Sequence, residues 1–302
     1  MNDYLDFAQN LQTKITGSVL TDAPMSDYTT WKIGGNADVL AIPQNPAELA
    51  AILTMATEAK IPLMIIGKGS DLLVSDSGIR GLVVQIGEKL NNIEWLAESK
   101  VMVQAGVSMS SLAWECAKRN LSGLEWAVGI PGNLGGALIM NAGAYGSNIS
   151  SCVTKIEVME YNGKRKWLNR DELQFGYRHG FTAGTSVVIN IELQLTEGDR
   201  TVSELHMRQI LQTRTKNQPL EYPSAGSVFK NPEGDHAGRL IEAAGCKGMR
   251  IGDAQVSLKH GNFIVNLGNA KASDVLALIS DVQKKVWEKF AVQLETEVRL
   301  IG

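Results

Sequence analysis

One segment of the chain is so rich in glycine that it constrains the fold before any other feature does. Between Gly129 and Gly146, six of the eighteen residues are glycine, and small or apolar residues fill most other positions. Such a stretch is a poor helix or strand core, because glycine loses the most conformational freedom on ordering. We expect a loop ordered by a close ligand, with Gly132–Gly136 around a pyrophosphate and Asn141–Gly146 beneath a planar ring. A purely structural glycine-rich turn is the alternative.

A shorter glycine loop follows an apolar strand. Leu63–Ile66 has the pattern of a buried strand, and Gly67-Lys68-Gly69-Ser70-Asp71 comes directly after it. Small residues let successive backbone N–H groups approach an anion. The loop lacks the third glycine of a Rossmann fingerprint and the Gly-Lys-Ser/Thr ending of a P-loop, so a simple tight turn stays open. Two such loops in one domain could hold the two ends of a dinucleotide.

The composition limits the class of ligand. The chain has 302 residues, 44% hydrophobic and 20% charged, and can bury two cores. A net charge of −3 gives no overall attraction to nucleic acid or to acidic lipid. The three cysteines and four histidines are scattered without the spacing of a disulfide framework or a metal site. No secretory pattern opens the sequence and no apolar run reaches bilayer length. We expect a cytoplasmic protein that binds a small phosphorylated ligand, without nucleic acid, membrane or metal.

Apolar periodicity predicts a mixed α and β chain in two domains. The predicted helices are Met1–Ile15, Ala47–Ala59, Ser111–Arg119, a long one from Val202, and Ala272–Val292. The predicted strands are Asp38–Pro43, Leu63–Ile66, Gly81–Ile86, Val101–Ala105, Ile156–Met159, Val187–Leu193, Asn262–Asn266 and a final segment around Leu294–Arg299. A polar turn cluster at Thr196–Asp199 marks the boundary, which we place near residue 200.

The two glycine loops resemble the FAD-binding segments of a known enzyme family. Gly-Lys-Gly-Ser-Asp-Leu-Leu-Val, and Gly-Ile-Pro-Gly-Asn-Leu-Gly-Gly through Asn-Ala-Gly-Ala-Tyr-Gly, are similar to those of the MurB enzymes, the UDP-N-acetylenolpyruvoylglucosamine reductases. Phe175–Arg178, Pro223–Pro232 and Leu294–Arg299 resemble later motifs of that family, in the same order, and the resemblance covers nearly the whole chain. It implies an α+β fold. A vanillyl-alcohol-oxidase-like (PCMH-type) FAD-binding domain, residues 1–200 with its core at about 30–197, precedes a smaller α/β substrate-binding domain, residues 201–302.

The resemblance also implies the cofactors and the reaction. FAD would be held non-covalently, mainly by backbone donors, and NADPH would reduce it. The enolpyruvyl ether of UDP-N-acetylglucosamine would become UDP-N-acetylmuramate, a peptidoglycan precursor, in a monomeric enzyme. The implied FAD-binding residues are Gly67, Lys68, Gly69, Ser70, Asp71, Gly129, Pro131, Gly132, Asn133, Gly135, Gly136, Asn141, Gly143, Ala144, Gly146 and Arg299. At position 71 the family commonly has asparagine, so the cofactor contact there is expected to differ or to involve only the backbone.

Three catalytic residues follow from the same resemblance. Hydride from the flavin would add to the terminal methylene, and Arg178 would stabilise the charge that spreads into the substrate carboxylate. Ser227 would protonate the resulting carbanion. Ser224 lies in the same segment, but alignment with the family motif selects Ser227. Glu297 would act as an acid or as an orienting group, with a raised pKa or a pairing with Arg299. Without the motif, these three would be an ordinary ion-pair arginine, a turn serine and a solvated carboxylate.

Substrate contacts are predicted at Tyr177, Arg214, Lys216, Lys230 and Asn231. Gly180 stands where the family motif often has serine. The short segment that follows Tyr177 lacks a tyrosine-bearing insertion, which resembles the type II branch. Two alternatives stay open: a FAD-dependent oxidase of the same fold acting on a small alcohol or sugar, and a non-catalytic nucleotide-sugar binding protein.

Overall fold

Seven α-helices and eighteen short strands make up the regular structure of residues 2–302, the part of the chain that the computed structural model describes. The α-helices are α1 Asn2–Gln12, α2 Pro46–Glu58, α3 Met109–Ala117, α4 Leu134–Met140, α5 Arg200–Asn217, α6 Ala237–Ala243 and α7 Ala272–Phe290. Short 3-10 helices occur at Met25–Tyr28, Glu125–Ala127, Ile149–Ser151 and Arg170–Glu172.

The strands are β1 Ser18–Pro24, β2 Asn36–Ile42, β3 Leu63–Ile66, β4 Leu72–Val74, β5 Ile79–Gln85, β6 Ile93–Trp95, β7 Lys100–Gln104, β8 Leu121–Ser122, β9 Gly143–Ala144, β10 Ser147–Asn148, β11 Val153–Glu160, β12 Arg165–Asn169, β13 Ser186–Gln194, β14 Thr196–Glu197, β15 Arg250–Ile251, β16 Ala254–Val256, β17 Ile264–Asn266 and β18 Arg299–Ile301. The largest sheet is antiparallel, in the order β12-β11-β13-β7-β6. A four-stranded sheet has the order β1-β2-β5-β3, with β3 and β5 parallel.

The chain divides into two compact units, each built from several sequence segments. The first contains the residues up to Thr21, Asp38–Lys68 and Gly81–Thr213. The second contains Asp22–Ala37, Gly69–Arg80 and Arg214–Gly302. These units are interleaved in sequence, whereas the sequence predicts a single boundary near residue 200, and that assignment of domains stays a prediction.

Helix α2 shows how local signals build the first unit. Pro46 stands at its first turn, and the Asn45 side chain accepts a hydrogen bond from the Glu48 N–H at 3.0 Å. A cap of this kind stabilises a helix by about 1 kcal/mol. The apolar face, Leu49, Ile52, Leu53 and Ala56, is buried in the core of the unit. The predicted Ala47–Ala59 helix is therefore confirmed.

Helix α7 builds the second unit in the same way. Its apolar stripe, Val275, Leu278, Ile279, Val282 and Val286, is buried in a separate core. In the same unit β4 and β18 pair in parallel, although more than 200 residues of sequence separate them. The Trp31 indole N–H donates to the Ile264 carbonyl at 2.9 Å. These long-range contacts explain why two early segments belong with the C-terminal part of the chain.

The N-terminus of α7 is capped from a distant loop. The Asp76 carboxylate accepts hydrogen bonds from the Ala272 N–H at 2.7 Å and the Ser273 N–H at 3.0 Å. Burial acts to raise the pKa of Asp76, but hydrogen bonds from Ser273 and Ala272 and the nearby charge of Lys271 hold it below its ordinary value. The carboxylate thus satisfies two of the amides that a helix leaves unpaired at its start.

Several sequence expectations were wrong in detail. The glycine-rich segment contains a helix, α4, because its small residues allow close packing that propensity alone does not reveal. The predicted strand over Leu294–Arg299 is interrupted by a bend at Val298, so only β18 continues it. The first predicted helix began at Met1, which lies outside the described residues.

None of the helices in the described part of the chain combines the length and apolarity needed to cross a bilayer.

Candidate active site

The two glycine loops meet in the first unit. A Cβ atom on Gly67, the residue that follows β3, would lie 2.5 Å from Oδ1 of Asn133 in the second loop. The buried Asn133 side chain donates to the Ile86 carbonyl at 2.7 Å and accepts from the Gly136 N–H at 3.2 Å. Any larger residue at position 67 would displace this side chain. Asn133 therefore joins the two loops, and glycine is required at their contact.

Helix α4 uses its own first amides within the protein. Asn133 is its N-cap, the Leu134 N–H donates to the Val107 carbonyl, and the Gly135 N–H donates to the Ala105 carbonyl, both at 2.8 Å. A Cβ on Gly135 would approach the Ala105 Cβ to 2.9 Å, which explains the glycine. The first amides of α4 are thus already bonded within the protein. We therefore expect a ligand phosphate to bind other donors of the two loops.

A hollow of about 310 Å³ lies beside the loops in the first unit. Its lining includes Lys68, Glu88, Asn91, Gly106, Ser108 and Ser111. Ser108 is the N-cap residue of α3, and its hydroxyl makes no capping bond. The lining thus carries one cation and one carboxylate, Lys68 and Glu88, beside two hydroxyl groups and the start of a helix. The two serines were not predicted, although Ser108 and Ser111 directly after a strand and at a helix start are a recognisable capping pattern.

Asn141 connects the second loop to the predicted arginine turn. It ends α4 in the left-handed conformation, with φ +43°, and it is buried. Its Nδ2 donates to the Gly176 carbonyl at 2.9 Å, and its Oδ1 accepts from the Ser150 N–H at 3.2 Å. Both ends of the amide are therefore used in holding the protein backbone.

Tyr177 and Arg178 occupy the centre of a two-residue turn. The Gly176 N–H donates to the His179 carbonyl at 2.7 Å, and the His179 N–H donates back to Gly176 at 3.2 Å. Arg178 has φ +52°, a conformation that costs a non-glycine residue about 1 kcal/mol or more. Its guanidinium lies 5.1 Å from the centre of the Tyr177 ring, which is 58% exposed. The turn thus presents an aromatic ring and a cation together.

Gly180 anchors this turn to α4. Its N–H donates to the Ile139 carbonyl at 3.1 Å, and a Cβ there would collide with the Leu138 carbonyl oxygen. The serine that the family motif often carries does not fit this backbone. The departure is thus part of how this chain packs the turn.

In the second unit the backbone brings the Ser227 segment and the Glu297 segment side by side. Phe229 forms a β-bridge with Thr296, and the Glu297 N–H donates to the Val228 carbonyl at 2.8 Å. Both Ser227 and Glu297 are half-buried. A serine hydroxyl and a carboxyl group are thus carried on adjoining backbone segments.

The backbone between Glu297 and Arg299 is not regular strand. The N–H groups of Glu297 and Val298 both point to the Val228 carbonyl, at 2.8 and 3.5 Å, and the chain bends at Val298. Arg299 starts β18 after the bend, and its N–H donates to the Asp71 carbonyl at 3.0 Å.

The predicted substrate contacts have various surroundings. Lys230 Nζ lies 3.2 Å from the exposed Glu295 carboxylate, a surface pair that is easily exchanged for a ligand. The Asn231 side chain accepts from the Ala237 N–H at 3.1 Å, at the start of α6. Arg214 and Lys216 lie in the last turn of α5, and two residues apart on a helix they project in nearly opposite directions.

The comparisons with known proteins agree with this architecture. Residues 37–169 match the family model of a FAD binding domain, and residues 218–301 match the C-terminal domain of UDP-N-acetylenolpyruvoylglucosamine reductase. The solved MurB structure from Thermus caldophilus covers 95% of this chain and 100% of its own, with 36% identity and a TM-score of 0.82. An alkyldihydroxyacetonephosphate synthase, 15% identical with a TM-score of 0.50, covers 64% of this chain and 40% of its own, and it shares the fold alone.

Fold and loops define a flavoprotein oxidoreductase with a PCMH-type FAD-binding domain, and the predicted α+β fold class is confirmed. The relative from Heliobacterium modesticaldum is 44% identical over 95% of this chain and 91% of its own. The relative from Clostridium tetani is 43% identical over 100% of this chain and 98% of its own. Both are named UDP-N-acetylenolpyruvoylglucosamine reductase, and the chain belongs to this family.

Proposed function

We propose that this chain reduces the enolpyruvyl ether of UDP-N-acetylglucosamine to the lactyl ether of UDP-N-acetylmuramate, with NADPH as reductant. The product is a peptidoglycan precursor. The proposal rests above all on the end-to-end similarity to reductases of that name. The adjoining Ser227 and Glu297 segments support it, because reduction of a carbon–carbon double bond needs a proton donor as well as electrons.

FAD, when bound, supplies the two-electron chemistry that links NADPH to the enolpyruvyl double bond. The residues proposed to hold it are those of the loops at Gly67–Asp71 and Gly129–Gly146, with Arg299 after the bend. The hollow beside Lys68 and Ser108 would take the nucleotide end. The tight contact of Gly67 with the Asn133 side chain supports this, because it brings the two loops together.

Arg178 is proposed to bind the substrate carboxylate. A guanidinium can grip a carboxylate through two parallel hydrogen bonds and stays charged at any working pH. Negative charge that develops beside the carboxylate is then stabilised where it forms. The turn that holds Arg178 at positive φ, tied to Asn141 and Gly180, would limit the movement of the group before it meets substrate.

Ser227 is proposed to deliver the proton to the substrate carbon. A serine hydroxyl is a weak acid, so neighbouring groups must replace or stabilise the proton that it gives up. Glu297 is proposed to do this directly or by orienting Arg299. Tyr177, Lys230, Asn231, Arg214 and Lys216 are proposed substrate contacts, and for Lys230 the exposed pairing with Glu295 leaves exchange with a ligand easy.

A cytoplasmic location and a monomeric state are part of the proposal. All three cysteines are free and buried, which agrees with a reducing compartment. The similarity to the type II branch, which lacks the tyrosine-bearing loop, also stays a proposal.

The visible absorption spectrum of the purified protein is the first test. We expect flavin bands, bleached by NADPH and restored without oxygen by the enolpyruvyl substrate. A colourless protein that FAD does not reconstitute would instead point to a non-catalytic nucleotide-sugar binding protein. Flavin bleached by a small alcohol or sugar and restored by oxygen would point to an oxidase of the same fold. Either result would reject the proposed function.

A further inference from the structure

Both polar atoms of the Asn262 side-chain amide bond to the backbone of Phe229, which lies two positions after the proposed proton donor, Ser227. It is 4% exposed, and it directly precedes the apolar residues that lead into β17. Its Nδ2 donates to the Phe229 carbonyl at 2.8 Å, and its Oδ1 accepts from the Phe229 N–H at 2.9 Å. Its own backbone carbonyl accepts from the Val228 N–H at 2.9 Å. One asparagine therefore holds two successive residues of the serine segment.

This pair of bonds imitates a neighbouring strand. In an antiparallel sheet, two residues exchange an N–H and a carbonyl with each other, and the Asn262 amide offers the same two groups to Phe229. The other side of the segment is held by the bridge to Thr296 and by the Glu297 N–H, which donates to Val228. The segment after Ser227 is thus fixed from both sides.

Gly226, the residue before the serine, has open space around it. Gly226 has φ +75°, and a Cβ there would meet no atom within 4 Å. Glycine is therefore needed for the backbone conformation and not for space. Before this glycine, the Ser224 carbonyl accepts from the Thr30 hydroxyl at 2.8 Å, three residues from Ser227. The clamped residues Val228 and Phe229 lie closer along the chain, so the position of the Ser227 hydroxyl depends most directly on them.

We propose that Asn262 is a positioning residue that holds the Ser227 hydroxyl and the Glu297 segment in register for protonation of the substrate. This inference rests on the proposed function. Loss of the amide would leave the Phe229 N–H and carbonyl without partners in a buried environment, so the segment would shift to satisfy them. A displacement of about 1 Å at a reacting group can cost on the order of 100-fold in rate.

Asn266 is a matched control in the same part of the chain. It ends β17, it is 2% exposed, and its amide also serves only backbone groups. Its Nδ2 donates to the Trp31 carbonyl at 3.0 Å, and its Oδ1 accepts from the Gly268 and Ala270 N–H groups at 2.8 and 3.0 Å. Its only bond to the serine segment is made by its backbone, whose N–H donates to the Pro223 carbonyl at 2.9 Å, and a side-chain substitution leaves that bond in place. Substitution there has a similar structural cost without touching the proposed clamp.

The test compares Asn262→Ser with Asn266→Ser in the FAD-loaded protein by stopped-flow absorbance. For Asn262→Ser, reoxidation of the reduced flavin by the enolpyruvyl substrate should slow at least about tenfold, while its reduction by NADPH stays within about twofold. For Asn266→Ser both steps should stay within about threefold. Amide hydrogen exchange should accelerate at Val228 and Phe229 in the first variant only.

Equal losses in the two variants, or unchanged reoxidation in a folded Asn262→Ser protein, would overturn the inference. If the serine variants do not fold, Asn262→Asp and Asn266→Asp provide the same comparison. A protonated carboxyl group at 262 can still donate to Phe229, and burial favours that form, so its reoxidation rate relative to the unsubstituted protein should recover as the pH falls. A pH profile parallel to that of the unsubstituted protein would overturn the inference. If the unsubstituted protein does not react with the enolpyruvyl substrate at all, the proposed function fails, and hydrogen exchange still tests the clamp.

Discussion

Replacement of Gly180 by alanine should loosen the turn that carries Arg178. The new Cβ would collide with the Leu138 carbonyl and approach the Asn141 nitrogen to 2.9 Å and the Ile139 oxygen to 3.0 Å. All three are backbone atoms, so a side-chain rotation cannot relieve the overlap. The turn would have to move away from α4, and the bond from the Gly180 N–H to the Ile139 carbonyl, 3.1 Å long, would stretch or break.

The size of the effect follows from these two losses. Overpacking against a rigid neighbour costs about 1–3 kcal/mol, and one backbone hydrogen bond contributes about 0.5–1.5 kcal/mol. Together they lower the free energy of unfolding by roughly 2–4 kcal/mol, which is a fall in melting temperature of roughly 3–6 °C for a chain of this size. Differential scanning calorimetry with FAD bound measures this directly.

Gly176→Ala is the matched control for this prediction. Gly176 lies in the same turn, but a Cβ there would meet only the His179 Cβ at 3.8 Å, an ordinary contact. Its melting temperature should stay within about 2 °C of the unsubstituted protein, since it adds one tolerated methyl group. Equal melting temperatures for the Gly180 and Gly176 variants would refute the argument that a close approach to α4 requires glycine.

Three further outcomes are expected. Ser227→Ala should leave flavin reduction by NADPH nearly intact and block reoxidation by substrate in stopped-flow experiments, and an equal loss of both steps would contradict its role as proton donor. Asp76→Ala should cost about 1–2 kcal/mol in urea unfolding through loss of the α7 cap. Because the pKa of Asp76 is lowered in the folded state, its contribution is complete above the unfolded pKa and is lost as the pH falls through the folded value, so variant and parent should converge in stability at pH values below that folded pKa. Burial raises the pKa of both Cys116 and Cys152 to about 12, so a thiol reagent at pH 8 should label them only after unfolding, and rapid labelling of the native protein would contradict this.

Local patterns predicted the regular elements well where one face is apolar. The periodic residues of α7 and α2, and the apolar strands β3 and β13, lie as the sequence predicted, within one or two residues at their ends. Burial of a continuous apolar face decides such elements, and that face is visible in the sequence. Helix α4 was missed because its stability comes from Asn133 and from close packing of glycines, both of which are tertiary effects.

The candidate site was likewise predictable from the sequence only in part. Motif resemblance selected Arg178, Ser227 and Glu297, but spacing could not show that the Glu297 amide bonds to the residue after Ser227. Nor could it show the bend at Val298, where the Glu297 and Val298 amides share one carbonyl. Asn262 carried no motif signal, and only its polar character beside an apolar strand distinguished it.

By itself the sequence determined the flavoprotein class, the family and the chemical types of the proposed site residues. These follow from the types of the residues and their order, both of which are read directly from the sequence. Only the tertiary structure decided that Gly67 contacts Asn133, that Asp76 caps α7, and that Asn262 clamps the serine segment. The hydrogen bonds among these contacts join residues 33 and 196 positions apart. They depend on how the chain folds back on itself, because a hydrogen bond or a steric limit requires closeness in space, which sequence distance does not encode.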